Sequence, residues 1–268
     1  MSLLIITLLQ ELQKSNDDNS EKQVIEDFAL DNVVYLELRT TPKRNDSIGM
    51  SKRSYVDAVI KGLRSVSSVD VDFIPKTGDS KSLTNDKCNG NSRKRIIVRL
   101  ILSIDRRETT EAAMETVKLA LEMRHLGVVG IDLSGNPKTG EWTTYLPALK
   151  FAQEQGLNVT LHCGEIRNPK EIKNMLEFHP QRIGHACFFE DEHWRKMKST
   201  KIPVEICLTS NIRTFSVPSI EDHHFDIDIR HDTDSSILVI CVFACQLSDI
   251  RHTFNRKCRC YIAINFNK

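Results

Sequence analysis

The chain has 268 residues, with 37 Lys plus Arg against 36 Asp plus Glu and a formal charge of +1. That balance excludes a polyanion binder that works through bulk charge, so no nucleic-acid partner is expected. Hydrophobic residues at 40% and charged residues at 27% exclude a wholly disordered chain, and no apolar run nears the ~20 residues that span a bilayer, so no membrane partner is expected.

Met1 to Leu9 is apolar but has no basic flank before it and no small-residue cleavage site after it. It reads as a docked helix or strand, not as a leader. A helix is predicted over 21–30. Residues 1–32 are read together as a divergent N-terminal segment.

Seven short β-rich runs follow: Val33–Thr40, Ile96–Asp105, Val128–Ser134, Leu157–Glu165, Arg182–Cys187, Pro203–Ser210 and Ile237–Cys245. Such Val/Ile/Leu runs are predicted to be strands buried on both faces. Helices are predicted between them. Ser51 caps one whose stripe is Tyr55, Val56, Val59, Ile60, Leu63 and Val66. Thr109 or Thr110 opens a second, and Thr143 or Thr144 a third that ends at Gly156. Asn168-Pro169-x-Glu171 combines a cap, a first-turn proline and an acid three residues on. Trp194 and Met197 mark a fifth. Residues 76–95 are polar without apolar periodicity and are expected to form a disordered surface loop.

Runs beginning at 128, 157, 182 and 203 have the βα repeat period, and connections this short force parallel strands. The pattern predicts a (β/α)8 barrel lacking one unit, with Ile5–Leu9 as the remaining candidate for the missing strand. The eight Cys show no paired CxxC spacing. Cys241, Cys245, Cys258 and Cys260 could form a metal knuckle with His252, but the plainer expectation is a reduced, cytoplasmic protein.

In parallel α/β architectures ligands sit at the carboxyl ends of strands. There the sequence places Arg39 to Arg44, Asp105, Asp132 to Asn136, His162 to Glu165, His185, and Thr209 to Asn211. Each has a plainer reading. Arg39 and Lys43 could be surface charges, Asp105 a helix-start acid, Gly135 a turn glycine, and each histidine a core residue. The two histidines on consecutive strands, with Glu165 three residues after His162, suit proton transfer or metal-assisted hydrolysis.

Four stretches resemble the adenosine/AMP deaminase family in order and spacing. They are Leu161-His162-Cys163-Gly164-Glu165, Arg182-Ile183-Gly184-His185, Asp132-Leu133-Ser134-Gly135-Asn136 and Cys207-Leu208-Thr209-Ser210-Asn211. Tyr35 to Lys43 resembles the branch that acts on N6-methyl-AMP. The resemblance implies a TIM barrel of the metal-dependent hydrolase type, with one zinc at its mouth and a purine nucleotide as substrate. It implies that His162 is a zinc ligand, that Glu165 donates the proton to the purine ring, and that His185 orients the attacking water. It further implies that Thr40, Thr41, Pro42, Lys43, Asp105 and Gly135 touch substrate. Lys43 as a point charge suits a 5′-phosphate. A monomeric barrel over 33–248 and a divergent tail over 249–268 are expected.

The chain departs from the family at two points. None of its nine His forms the His-x-His pair of the family's first strand. The Asp-Asp turn of the last strand is absent between Cys241 and Val242. A shortened or variant form is therefore expected, barely metallated and without turnover, because zinc sites use at least three protein ligands. The contrasting expectation is an inert relative that binds nucleotide or a partner.

Overall fold

The computed structural model describes residues 25–26, 28–30, 33–73, 94–218, 222, 239–241 and 262–265. The proposed first strand at 5–9, residues 76–93 of the loop expected over 76–95, His223, His224, His231, His252 and the tail cysteines 245, 258 and 260 lie outside the described residues; the last two residues of that expected loop are not disordered, since Lys94 is placed and Arg95 begins a strand.

Alternation along the strands gives the architecture. In β1 (Tyr35–Thr40), Leu36 and Leu38 alternate with Glu37 and Arg39, and all four are buried. The same alternation sets Ile131 and Leu133 against Asp132 in β4 (Val128–Ser134), and Val159 and Leu161 against Thr160 and His162 in β5 (Asn158–Cys163). Side chains two apart share a face, so each strand has one apolar and one polar face, and both are out of water. The remaining strands are β2 (Asp70–Asp72), β3 (Arg95–Asp105), β6 (Arg182–His185), β7 (Val204–Ile206), β8 (Val239–Cys241) and β9 (Ile262–Asn265). They form one sheet in the order β8-β7-β6-β5-β4-β3-β1-β9, with β2 also on β3. Every ladder is parallel.

The sheet curls. Arg39 on β1 pairs with Glu205 on β7, and Arg182 on β6 reaches Glu37 on β1 at 2.6 Å, although these strands are far apart in sheet order. Such bridges form only across a concave interior. The end strands β8 and β9 approach each other, but among the described residues no ladder laces them together. The predicted barrel is thus present and incompletely closed. The edge of β1 left for a missing first strand carries β9 from the tail.

Helices cover the apolar face. They are α1 (Lys52–Arg64), α2 (Thr110–Glu122), α3 (Trp142–Glu154), α4 (Pro169–Glu177), α5 (Asp191–Thr200) and α6 (Leu208–Arg213). The predicted caps form: Ser51, Thr109 and Asn168 side chains accept from the backbone N–H three residues on. The α1 stripe Tyr55, Val56, Val59, Ile60 and Leu63 is buried as its spacing dictates.

Three expectations need correction. The strands are buried on both faces as expected, but the inner face is polar and not Val/Ile/Leu. Helix α3 starts at Trp142 with Glu141 as its cap, not at Thr143 or Thr144. Pro203–Ser210 is not one strand. It stops at Ile206, and Leu208 opens α6, whose first turn closes with Asn211 N–H donating to Cys207 C=O at 2.8 Å. No helix among the described residues is long and apolar enough to cross a membrane.

Candidate active site

The polar face of the barrel ends in two histidines. His162 is the inward residue near the end of β5. Its Nδ1 lies 3.0 Å from Asp132 Oδ1, and Ser103 Oγ donates to Asp132 Oδ2 at 2.9 Å. Burial pushes the Asp132 carboxyl up, but His162, Arg39 and the two hydrogen bonds outweigh it and hold the group well below the usual carboxylate range. Against an ionised Asp132, His162 Nδ1 is the donor.

His185 ends β6, and its Nδ1 donates to Asn211 Oδ1 on α6 at 2.8 Å. His185 and Ala186 have φ of 73° and 56°, left-handed values that non-glycine residues adopt at a cost of about 1–3 kcal/mol each. Among the described residues His179, Lys201 and Phe215 also have left-handed φ, but only at this strand end do two such residues follow one another. The two imidazole centroids lie 5.0 Å apart.

Glu165 follows the left-handed Gly164, where an added Cβ would lie 2.9 Å from the Phe189 ring. The turn brings Glu165 Oε1 to 3.5 Å from His185 Nε2. One donor atom from each of His162, Glu165 and His185 lies within 4.8 Å of the others. The structure therefore assembles the three residues that the resemblance singles out for chemistry.

Most of the other expected contacts share a separate depression, whose lining includes none of these three residues. Thr41, Pro42, Lys43, Asp105 and Arg107 line one depression. Asp105 Oδ1 accepts from Arg107 N–H at 2.9 Å and Arg107 Nε at 3.0 Å. Burial raises the Asp105 carboxyl, yet Arg107 and Lys43 together hold it below its ordinary value. Burial lowers the Lys43 ammonium, and Arg107 adds to that effect while Asp105 opposes it. Gly135 has φ of 108°, and a Cβ there would lie 2.9 Å from Asp105 Oδ1 and 3.1 Å from Arg106 N. Glycine is what lets this loop close on Asp105. Thr40 stands apart. It alternates outward with Leu38, and its hydroxyl lies 2.8 Å from the Tyr55 hydroxyl on α1.

Sequence reading missed the supports. Arg39, weighed as a surface charge, is 1% exposed and paired with Glu205 at 0%. Asn211 was read as a strand end, and Ser103 and Glu205 were not singled out. The signal was a polar residue at every second position of an otherwise apolar run.

The zinc arrangement that the family resemblance implies does not fit this chain. Of its ligands only His162 is present, since the sequence has no His-x-His and no Asp-Asp turn after Cys241. Among the described residues the donors beside His162 are Glu165 and His185.

A family model described as Adenosine deaminase matches residues 20–238. The N6-mAMP deaminase of Arabidopsis thaliana is 70% identical over 204 residues, which cover 76% of this chain and 57% of that protein. The N6-Methyl-AMP deaminase of Homo sapiens is 36% identical over 244 residues, 85% of this chain and 61% of that protein. A crystal structure of Arabidopsis ADAL complexed with IMP superposes with a TM-score of 0.70 at 57% identity, covering 92% of this chain and 60% of that one. The chain thus spans little more than half the length of the curated relatives it matches.

Proposed function

Because the chain belongs to the adenosine deaminase family, we propose that its site is built for hydrolytic deamination of a purine nucleotide, N6-methyl-AMP to IMP and methylamine. The observation that carries this is the convergence of His162, Glu165 and His185 within 4.8 Å, with each imidazole turned by a buried acceptor. Glu165 as the acid protonates a purine ring nitrogen and so draws electrons from the carbon that is attacked. His185, held by Asn211, orients the attacking water and stabilises charge beside that carbon. Gly135 presents backbone without a side chain, so the flat base can approach closely. Thr41, Pro42, Lys43 and Asp105 line the nucleotide side, with Lys43 on the 5′-phosphate.

The missing ligands favour a second reading for this chain as it stands: it binds the nucleotide and does not convert it. A reducing, cytoplasmic setting suits this nucleotide chemistry. Titrating IMP and N6-methyl-AMP into the full chain by calorimetry tests the pocket, and formation of IMP followed by ultraviolet absorbance tests the reaction. Binding is expected without product. Product is expected once a His-x-His strand and an Asp-Asp turn are built in, and Glu165→Gln should abolish it again. No binding of either nucleotide at millimolar concentration would end the proposal, as would turnover that does not depend on Glu165.

A further inference from the structure

Taking the proposed deaminase site as its premise, we propose that Arg106 is the positioning residue that fixes Glu165 against the nucleotide depression. It touches neither the base nor the phosphate. It acts through Glu171, Asn168 and the loop that carries Glu165.

The local sequence divides the work. Asp105-Arg106-Arg107 leaves β3 in a turn that Glu108 N–H closes by donating to the Asp105 C=O at 2.9 Å. Asp105 and Arg107 bond to each other and line the depression. Arg106, between them, turns the other way, and its side chain is buried where that of Arg107 is exposed. It borders a cavity of about 10 Å³ together with His162, Glu165 and Glu171. A void of that size cannot take a nucleotide, so Arg106 backs the site and does not contact substrate.

The guanidinium joins loops that the chain itself separates. Its Nε donates to the Thr139 C=O at 3.0 Å, in the loop that follows β4 and begins with Gly135. Its Nη2 donates to Glu171 Oε1 in the first turn of α4. The other oxygen, Glu171 Oε2, accepts from Asn168 Nδ2 at 3.3 Å, and Asn168 caps α4 at the end of the Glu165 loop. The Arg106 N–H donates to the Ser134 C=O at 2.9 Å, and its C=O accepts from the Tyr145 hydroxyl on α3. One residue thus ties three successive βα units together at the mouth.

The chemistry suits a ruler. A guanidinium offers its donors in a rigid fork, so two acceptors at once set its orientation. A charge-assisted bond out of water holds its partner more tightly than a neutral one. In the proposed site Glu165 meets a purine ring nitrogen while Lys43 meets the phosphate of the same molecule. Their separation is set by what joins the β5–α4 loop to the turn after β3, and Arg106 is such a join. The Glu165 loop has other ties. Ser216 Oγ donates to the Glu165 C=O at 3.3 Å, and Phe188 N–H to the Gly164 C=O at 3.0 Å. Those lead on to α6 and β6, not to β3. Loss of Arg106 therefore leaves both halves of the site in place and loosens one against the other.

The test is a double-mutant cycle on the IMP affinity of the full chain, read by calorimetry. Arg106→Met should weaken IMP binding by about 10-fold, and by under about 2-fold in a Glu165→Gln background, because residues that act as one unit do not add. Ribose 5-phosphate carries the phosphate and no base, and should bind Arg106→Met as it binds the wild type. Arg106→Lys keeps the charge and lacks the fork, so it should restore thermal stability more than IMP affinity. Should Arg106→Met fail to fold by circular dichroism, Arg106→Lys carries the same cycle. Additive losses at Arg106 and Glu165 would overturn the inference and leave Arg106 a structural ion pair. So would an equal loss for ribose 5-phosphate, or unchanged IMP affinity in Arg106→Met. Absence of IMP binding by the wild-type chain would instead overturn the functional reading, and this inference with it.

Discussion

Glu205→Met is expected to destabilise the protein by about 3–5 kcal/mol, the cost of removing one partner from a buried ion pair. Arg39 and Glu205 are 1% and 0% exposed, so solvent screening does not soften the loss. The substitution keeps the volume and strands the Arg39 guanidinium in the barrel. Asp132 attracts Arg39 only through space, and Arg182 keeps its second partner in Glu37. The double variant Arg39→Met/Glu205→Met removes both charges and should lie close to the wild type or above it, because the desolvation of both ions is relieved. Urea unfolding followed by tryptophan fluorescence reads the effect. At a slope of about 2 kcal/mol per molar, the single variant moves the midpoint by roughly 2 M. The exposed pair Arg44–Glu115, at 56% and 42%, is the control, and Arg44→Met should cost under about 1 kcal/mol. A single-site cost at Glu205 below that figure, or a double variant that loses the sum of both singles, would refute the view that this pair spans a dry barrel interior.

Lys43→Ala should weaken IMP binding by about 10- to 100-fold, the worth of a charge-assisted contact, while inosine binding stays unchanged; equal losses for both would remove Lys43 from the phosphate. Gly135→Ala should destabilise the fold by about 1–3 kcal/mol in thermal melts and also lower nucleotide affinity, since the new Cβ meets Asp105 Oδ1 at 2.9 Å. Asp132 and Glu205 both have depressed carboxyls in the folded protein. Their contribution is complete above the unfolded value near ~4 and is lost as pH falls through the folded value. The melting temperature should therefore drop on acidification from pH ~5 downward, and a rise over that interval would contradict the sign.

How much of this was legible in the residues depends on the range of the forces involved. The starts of α1, α2 and α4 were legible because a cap is a local contact: Asn168 and Glu171 are three residues apart and meet as the spacing says. The β4 limits, Val128 and Ser134, coincide with the predicted run because Gly127 and Gly135 bracket it. His162, Glu165 and His185 were legible from motif order, and the curl of the sheet then joins them. The polar inner face was not. An apolar run with Arg39 or Asp132 inside it looks like a strand with an accidental charge until the partner appears, 166 residues away in the case of Glu205. The misread end of Pro203–Ser210 has a similar cause. Leu208 to Arg213 makes only one short helix, and its Asn211 meets His185 at the end of the neighbouring strand β6, a contact 26 residues apart in the chain.

The interior charges also explain why cationic groups belong at the mouth. Glu37, Asp132 and Glu205 line the column below the histidines, against Arg39 and Arg182. Arg99 and Asp72 beside them nearly cancel, at 3.9 Å. Three carboxylates against two guanidiniums leave the column negative by one charge, in a setting where water screens poorly. Glu165 adds another at the rim. The field from below therefore favours positive charge where His162 and His185 stand. The side chains that supply this field sit on β1, β4, β6 and β7, and the ladders that hold those strands do not depend on β8 or β9. The preference for a cation at the mouth is thus a property of the described part of the barrel, and it persists however the remaining edge is closed.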